Sequence, residues 1–229
     1  MAKRFYEKVA VEDRAGDIVV TLGGRVLKTP GKMALAFADR NHAKLVAAEW
    51  DAQGEDILPN TMPCTRLMNV ACEQTPSRRG ELVKEFCAYT STDLLCYRAD
   101  SPRDLEARQE ASWQPVLDWA GQTHGIALAT TTGIKALEQS ARSLANAADV
   151  ANGFDNVDLT LLLHLTASFG SAILALAVLD NHIPMDVGFA LSKLDEAFQN
   201  ELWGADEEAL ENNRALLEEL SLMAQLIKE

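Results

Sequence analysis

The chain has 229 residues, of which 48% are apolar and 24% are charged. This balance is typical of a globular protein with one or two domains and excludes a disordered chain. The formal net charge is −13, and it arises in residues 101–229, which carry 7 basic and 20 acidic side chains. Because nucleic acids and anionic lipids are bound through Lys and Arg, this charge argues against both as partners.

Residues 6–37 alternate apolar and polar side chains, as β-strands do. Residues 18–22 and 25–29 flank the pair Gly23-Gly24, which can adopt the positive φ angles of a two-residue hairpin turn. The sequence therefore predicts a β-hairpin near the N-terminus.

Helical spacing appears at residues 41–53 and dominates after residue 75, with an extended interruption at residues 125–130. We therefore predict an α+β fold. A small β-rich N-terminal domain spans residues 1–75, and a larger, mainly α-helical domain spans residues 76–229.

The segment between Asp158 and Asp180 is apolar and long enough to cross a membrane. However, no Lys or Arg lies close to either end, and His164, Ser168 and Ser171 interrupt the run. We interpret the segment as a central buried helix, and we expect no membrane insertion.

A further helix is predicted around residues 191–203. Its core-facing stripe consists of Leu191, Leu194, Phe198 and Leu202. On the opposite face this spacing places Glu196, Gln199 and Trp203 together. A tryptophan on a polar face indicates either packing against a neighbouring element or contact with a partner.

The last helix is predicted to begin shortly after that one ends. Gly204 suits the position after a helix end, and Asp206 can cap the next helix. The predicted core stripe of this last helix consists of Leu210, Leu217, Leu220 and Ile227.

The residues that could perform chemistry form no recognisable motif. Met33 stands where a phosphate-binding loop needs Ser or Thr after Gly31-Lys32. The histidines are separated from one another and from the cysteines, which form no C-x-x-C pair. No Gly-x-Ser-x-Gly elbow is present. We therefore expect no metal, no cofactor and no enzymatic activity.

Several runs resemble the assembly chaperones of the ATP synthase alpha subunit. These runs are Gly24–Pro30, Glu49–Gln53, Met62–Thr65, Thr92–Ala99, Trp113–Pro115, Gly170–Ser171 with Leu174–Ala177, and Asp195–Gln199 with Trp203–Gly204. They follow the family's order over residues 9–206. The chain departs from the pattern at Gly23, where an Asp is expected, and at Cys64, where a Leu is expected.

The resemblance implies a β-rich lobe followed by a helical lobe, in agreement with the pattern above. It also implies a chaperone for assembly of the catalytic head of the F-type ATPase. Such a chaperone binds the unassembled alpha subunit, its client, and prevents its aggregation until the beta subunit docks. We expect the protein to be a monomer. We also expect it in the bacterial cytoplasm, because no targeting segment precedes residue 6; the alternative is a processed form in the mitochondrial matrix.

The resemblance and the helical spacing together suggest candidate site residues. We predict that Asp195, Glu196, Gln199 and Trp203 form the client-binding face. Asp93 and Arg98 flank residues 94–97 and could pair with each other or contact the client; a structural role is favoured for both.

Two other functions remain open at this point. One is an enzyme or ligand-binding protein with an unrecognised site in the cleft between the lobes, which a bound metabolite would favour. The other is an acidic interaction module without client specificity, which equal binding to many unfolded proteins would favour.

Trp50 is in register with Ala43, Val46 and Ala47, and we predict that it anchors its helix on the sheet. Trp50→Arg should therefore lower the melting temperature, because a charge would replace a large apolar ring. An unchanged melting temperature in thermal denaturation would refute this role.

Overall fold

The computed structural model describes residues 2–132 and 137–228, and these residues form an α+β fold, as predicted. They fall into two compact units. The first runs up to Arg78 and also includes Leu222–Lys228, and the second comprises Arg79–Ser221. The predicted domain limits, residues 1–75 and 76–229, stay a prediction. None of the helices in the described ranges is long and apolar enough to cross a membrane.

The strands form one main sheet and two short pairs. They are β1 (Ala2–Lys3), β2 (Val9–Arg14), β3 (Asp17–Leu22), β4 (Arg25–Val26), β5 (Ala36–Phe37), β6 (Asp56–Ile57), β7 (Tyr97–Arg98) and β8 (Thr131–Thr132). In the main sheet β3 is central, with β2 antiparallel along one edge and both β4 and β5 antiparallel along the other. β1 pairs with β6, and β7 pairs in parallel with β8.

The predicted hairpin is confirmed between β3 and β4. Gly23 and Gly24 have φ angles of 57° and 79°, which glycine adopts without steric cost. The turn between β2 and β3 is built in the same way by Ala15 and Gly16, with φ angles of 53° and 96°.

Helix α1 (Arg40–Asp51) packs against this sheet. The Asp39 side chain caps its first turn by accepting a hydrogen bond from the Asn41 N–H at 2.7 Å. Ala43 and Val46 are fully buried on the face towards the sheet. The predicted helix is confirmed.

The next helix, α2 (Pro63–Glu73), is capped from outside its own sequence. Its N-cap residue, Met62, makes no side-chain hydrogen bond, and the carboxylate of Glu49 on α1 takes over this role. The carboxylate accepts hydrogen bonds from the backbone N–H groups of Cys64 and Thr65, each at 2.7 Å, and from the Thr65 hydroxyl at 2.6 Å. A negative charge at a helix N-terminus is favourable, so Glu49 joins α1 to α2.

Gln53 holds the loop that follows α1. Its amide Nε2 donates to the Glu49 carbonyl at 3.0 Å and to the Thr61 hydroxyl at 3.1 Å, and its Oε1 accepts from the Leu58 N–H at 2.7 Å. The Glu49–Gln53 and Met62–Thr65 runs therefore have a structural role in the first unit, because their hydrogen bonds hold α1, the loop after it and α2 together.

The C-terminal segment completes this first unit. The buried ring of His42 forms a hydrogen bond through Nε2 with the carbonyl of Leu226 at 2.8 Å. The Cys64 thiol donates to the carbonyl of Leu222 at 3.4 Å. Both bonds join residues more than 150 positions apart.

Helices account for most of the second part of the chain. They are α3 (Thr75–Ser91), α4 (Arg103–His124), α5 (Ala141–Gly153), α6 (Asn156–Phe169), α7 (Ala172–Leu179), α8 (Met185–Ser192), α9 (Leu194–Trp203) and α10 (Glu207–Ala224). Every residue of α7 is apolar and buried.

The prediction of one central helix between Asp158 and Asp180 is wrong, because α6 and α7 are separate. Gly170 has a φ of 67°, a left-handed conformation that ends α6. The Ser171 hydroxyl then accepts a hydrogen bond from the Leu174 N–H at 3.0 Å and starts α7. Glycine followed by a capping serine overrides the continuous apolar pattern.

The prediction of one helix over residues 191–203 is also wrong, because α8 ends and α9 begins at Lys193. The predicted apolar stripe holds for Phe198, which is buried, but Leu202 is 57% exposed. In the last helix Leu220 is buried whereas Leu210 is 42% exposed, and Ile227 lies beyond the helix end. The Asp206 cap is confirmed by its bond from the Glu208 N–H at 2.9 Å.

Glu49→Ala should destabilise the protein by about 2 to 3 kcal/mol, because it leaves the N–H groups of Cys64 and Thr65 without their acceptor. Urea denaturation gives the free energy of unfolding. Glu55→Ala is the matched control, since the Glu55 side chain is 94% exposed. Equal stability of the two variants would contradict the capping role.

Candidate functional site

The candidate site is the exposed side of α9, where the predicted residues occupy successive turns. Glu196, Gln199 and Trp203 are spaced by 3 and 4 residues within α9, so they share one face. Gln199 is exposed and Glu196 is half-buried. Trp203 is 78% exposed, so the alternative that its ring packs against a neighbouring element does not hold for most of its surface.

Glu196 is held between two neighbours. Its Oε1 accepts a hydrogen bond from the Asn213 side-chain amide on α10 at 2.7 Å. Its Oε2 lies 3.5 Å from the Lys193 ammonium, one turn earlier. These contacts orient the carboxylate while leaving about a third of the side chain accessible.

Two exposed leucines lie near Trp203 in the sequence. Leu202 and Leu210 lie on either side of the connection that Gly204 opens with a φ of 89°. We call Leu202, Trp203 and Leu210 the turn patch. Large apolar side chains left exposed mark many protein-binding surfaces.

The surroundings of the turn patch are strongly acidic. Residues 193–219 contain nine acidic and two basic side chains. Glu201, Asp206, Glu207, Glu208 and Glu211 are all exposed. The combination of an aromatic anchor with a charged rim is the arrangement found at many protein interfaces.

Asp195 points elsewhere, although it is next to Glu196 in the chain. Its carboxylate accepts a hydrogen bond from the Gln109 side-chain amide on α4 at 2.7 Å. Gln109 is 1% exposed, and its own Oε1 accepts from the Ala99 N–H at 2.7 Å. The sequence analysis did not identify Gln109. The signal that could have identified it is its place as a polar residue among the apolar residues of the buried face of α4.

Arg98 belongs to the same network. Its guanidinium donates to the Gln109 carbonyl at 2.6 Å and to the Gln114 side-chain oxygen at 3.3 Å, and it lies over the Trp113 ring at 5.3 Å. Burial lowers the pKa of Arg98, and the nearby Glu110 charge opposes this shift. The Trp113 indole N–H in turn donates to the Leu191 carbonyl at 2.9 Å.

A second attachment joins α9 to α4 near the C-terminal end of α9. Arg108 forms an ion pair with Glu201 at 2.8 Å and lies 5.1 Å from the centre of the buried Phe198 ring. Together with the Asp195–Gln109 bond, these contacts fix the orientation of α9. The candidate face is therefore carried by a helix that is anchored at both ends.

Asp93 is fully buried and does not contact Arg98. Its carboxylate accepts hydrogen bonds from the Ser171 hydroxyl at 2.8 Å, from the Ile173 N–H at 3.0 Å and from the Leu95 N–H at 3.0 Å. It therefore caps the buried helix α7 from a distant part of the chain. Burial raises the pKa of Asp93 to about 6, against the lowering effect of these donors.

Trp50 is half-buried rather than enclosed. Its ring meets the Tyr6 ring edge-on, with centroids 5.8 Å apart, and its carbonyl accepts the Tyr6 hydroxyl at 2.7 Å. The indole Nε1 is buried without a hydrogen-bond partner. The ring thus ties α1 to the segment before β2, and its proposed structural role stays a prediction.

The structure brings together two histidines that the sequence left apart. His124 Nε2 lies 2.7 Å from the Asp180 carboxylate, and the His182 ring stacks on Trp119 with centroids 4.5 Å apart. Trp119 also meets the His124 ring edge-on at 5.1 Å.

The buried cysteines and the metal-binding side chain types are not arranged for nucleophilic or metal chemistry within the described residues. Burial raises the pKa of the Cys64 and Cys96 thiols to about 12, so neither is a thiolate near neutral pH. Across residues 2–132 and 137–228, no group of three or more His, Cys, Asp or Glu side chains is arranged to hold a metal ion.

Comparison with known proteins gives consistent matches along the chain. The family described as ATP12 chaperone protein matches residues 3–121. The crystal structure of Atp12 from Paracoccus denitrificans is 36% identical with a TM-score of 0.92, covering 98% of this chain and 96% of that chain. A structure from Agrobacterium tumefaciens is 36% identical with a TM-score of 0.94, covering 98% of this chain and 85% of that chain.

A fungal protein is also similar. It is Protein atp12, mitochondrial, from Schizosaccharomyces pombe, which is 24% identical over 221 aligned positions, covering 91% of this chain and 76% of the relative. The fold and these matches define an assembly chaperone of the ATP synthase. More specifically, the chain belongs to the ATP12 chaperone protein family.

The raised pKa of Asp93 predicts a distinctive pH dependence of stability. The folded pKa of about 6 exceeds the ordinary 3.8, so the folded protein binds the proton more tightly than the unfolded chain. The resulting stabilisation is complete below pH 3.8 and is lost as the pH rises through 6, a change of about 3 kcal/mol.

The measurement compares wild type with Asp93→Asn, which has no carboxyl proton to bind. The free energy of unfolding of wild type minus that of Asp93→Asn should fall between pH 4 and pH 7. Asp100→Asn, at an exposed position, is the matched control for removal of a carboxylate. A difference that stays constant over this range would refute the shift.

Proposed function

We propose that this chain binds the unassembled alpha subunit of the ATP synthase catalytic head and prevents its aggregation until the beta subunit docks. It acts by binding and not as an enzyme, and it needs no cofactor. The observation that carries the proposal is Trp203, which is 78% exposed within an acidic surface of a chain that belongs to a chaperone family.

The proposed role follows from the physics of ring assembly. A subunit made for a ring exposes apolar interface until its neighbour docks, and such surface drives aggregation. A chaperone that covers this surface must release it again. An interface with one aromatic anchor and a hydrated polar rim provides contact area without the permanence of a large apolar interface.

We assign client contact to Glu196, Gln199 and Trp203. Trp203 with Leu202 supplies the apolar contact, and Glu196 supplies an oriented negative charge for a basic client side chain. Asp195 takes part by fixing α9 through Gln109. Trp50, Asp93 and Arg98 act through the fold, since the contacts described above lie within it.

The relatives favour a compartment and an oligomeric state that can be tested together. Two of the similar structures come from bacteria, which favours the bacterial cytoplasm; the yeast relative is named as mitochondrial. We propose a monomer that binds one client, without nucleic acid, because the acidic surface of α9 and α10 repels both phosphate and a second copy of itself.

The decisive experiment dilutes denatured alpha subunit into buffer with and without this protein. Light scattering follows aggregation, and gel filtration gives the mass of any soluble product. Suppressed scattering together with a defined complex supports the proposal. Unchanged scattering without a complex, using protein shown to be folded by circular dichroism, would overturn it.

Two substitutions test the assigned face. Glu196→Lys and Trp203→Ala should each weaken the complex about tenfold or more, because they remove a charge and an aromatic anchor at the interface. The matched controls are Glu85→Lys, an exposed charge reversal on α3, and Met33→Ala, which removes an exposed apolar side chain. If Glu196→Lys and Trp203→Ala bound the client as tightly as the two control variants, the client would bind elsewhere.

A further inference from the structure

The outer edge of the main sheet offers backbone groups that the described chain does not use. β2 pairs with β3 along one edge, and no other strand of the described residues pairs with β2. Natural proteins usually protect such an edge with proline, bulges or charged side chains. Here Glu12, Asp13 and Arg14 protect one end, but the run Val9-Ala10-Val11 carries no protection of this kind.

The register shows which groups point outwards. The Lys8 carbonyl accepts from the Gly23 N–H at 2.8 Å, so Lys8 faces the β3 side, and the alternation of the strand turns Val9 and Val11 the other way. The opposite strand agrees: Val20, which pairs with Val11, directs its carbonyl to the Leu27 N–H at 2.8 Å, away from β2.

The outward groups of Val9, Val11 and Asp13 therefore form a row of donors and acceptors available for another strand. The spacing of such groups along a strand matches an extended peptide and nothing shorter or helical.

An open groove runs directly beside this edge, between β2 and α1. It has a volume of about 250 Å³. Its lining residues are Val9, Ala10 and Val11 from β2 and Lys44, Ala47, Ala48 and Asp51 from α1. The two alanines on α1 leave room for side chains as large as valine or leucine to enter from an added strand.

We propose that β2 and this groove form a strand-addition site for an extended segment of the client subunit. The segment would pair with the outer edge of β2 and insert every second side chain between β2 and α1. The inference rests on the proposed function, and it adds a second contact region, in the first unit, to the face on α9.

The charges along the groove indicate which side chains a bound segment should carry. The Arg40–Asp13 ion pair at 2.6 Å places the start of α1 at the hairpin end of β2, so Lys44 and then Asp51 follow along the groove. Because Asp51 already pairs with Arg4 at 3.5 Å, the occupant that complements this order has an acidic side chain near Lys44 and aliphatic side chains beside Ala47 and Ala48. Pairing through the backbone explains how the groove would hold such a segment without a deep pocket.

The test uses the complex of the full chain with the alpha subunit. Hydrogen exchange at single-residue resolution should show the amides of Val9, Val11 and Asp13 slowing by about 100-fold or more in the complex. The amides of Ala10 and Glu12, which face β3, should already be slow in the free protein. This alternating pattern distinguishes strand addition from general shielding of the region.

A substitution provides an independent test. Ala48→Arg places a long side chain in the groove at an exposed helix position and should weaken the complex about tenfold. Ala111→Arg, at an exposed position on α4, is the matched control. A wild-type complex with unchanged exchange in β2 and normal binding by Ala48→Arg would overturn this site alone. Absence of any wild-type complex would overturn both this site and the proposed function.

Discussion

The buried carboxylate of Asp93 is the interaction on which the second unit depends. Helix α7 is apolar and buried along its whole length, so the free N–H groups of its first turn cannot reach water. Asp93 and Ser171 supply their acceptors inside the core. The first unit meets the same requirement with Glu49 at the start of α2. In both units a carboxylate from another part of the chain accepts hydrogen bonds at the start of a helix, alone at α2 and together with the Ser171 hydroxyl at α7.

This arrangement explains several of the polar residues in the family-like runs. Glu49 and Gln53 hold the end of α1 and the start of α2, and Arg98 holds the backbone of α4 at Gln109. Glu49 and Gln53 satisfy backbone groups that burial would otherwise leave without partners, and the Gln109 carbonyl in turn provides an acceptor for the buried Arg98 guanidinium. These family-like runs therefore describe the scaffold, whereas another of them, Asp195–Gln199 with Trp203, carries the candidate face on α9.

Much of the fold could be predicted from the sequence, since local signals were sufficient. Gly23-Gly24 determines a hairpin, and Asp206 starts a helix, through interactions within a few residues. The breaks at Gly170 and Lys193 were missed because apolar spacing continues across both. The candidate site was also predicted only in part. The spacing of Glu196 and Trp203 placed them on one face. Only the structure shows that the neighbouring Asp195 binds Gln109 and that Leu202 is exposed. Periodicity reports which residues share a face, but it does not report which neighbour will cover that face.

The contribution of Leu222–Lys228 to the first unit has a consequence for synthesis of the protein. A ribosome releases the strands of the main sheet and α1 early, yet the carbonyls that bind His42 and Cys64 belong to Leu226 and Leu222, far later in the chain. The first unit therefore remains incomplete until Leu222 and Leu226 have been made. A chain that stops before Leu222 would contain every strand of the sheet and still lack the segment that closes this unit, so the first unit closes only after residues 79–221 of the second unit have been made.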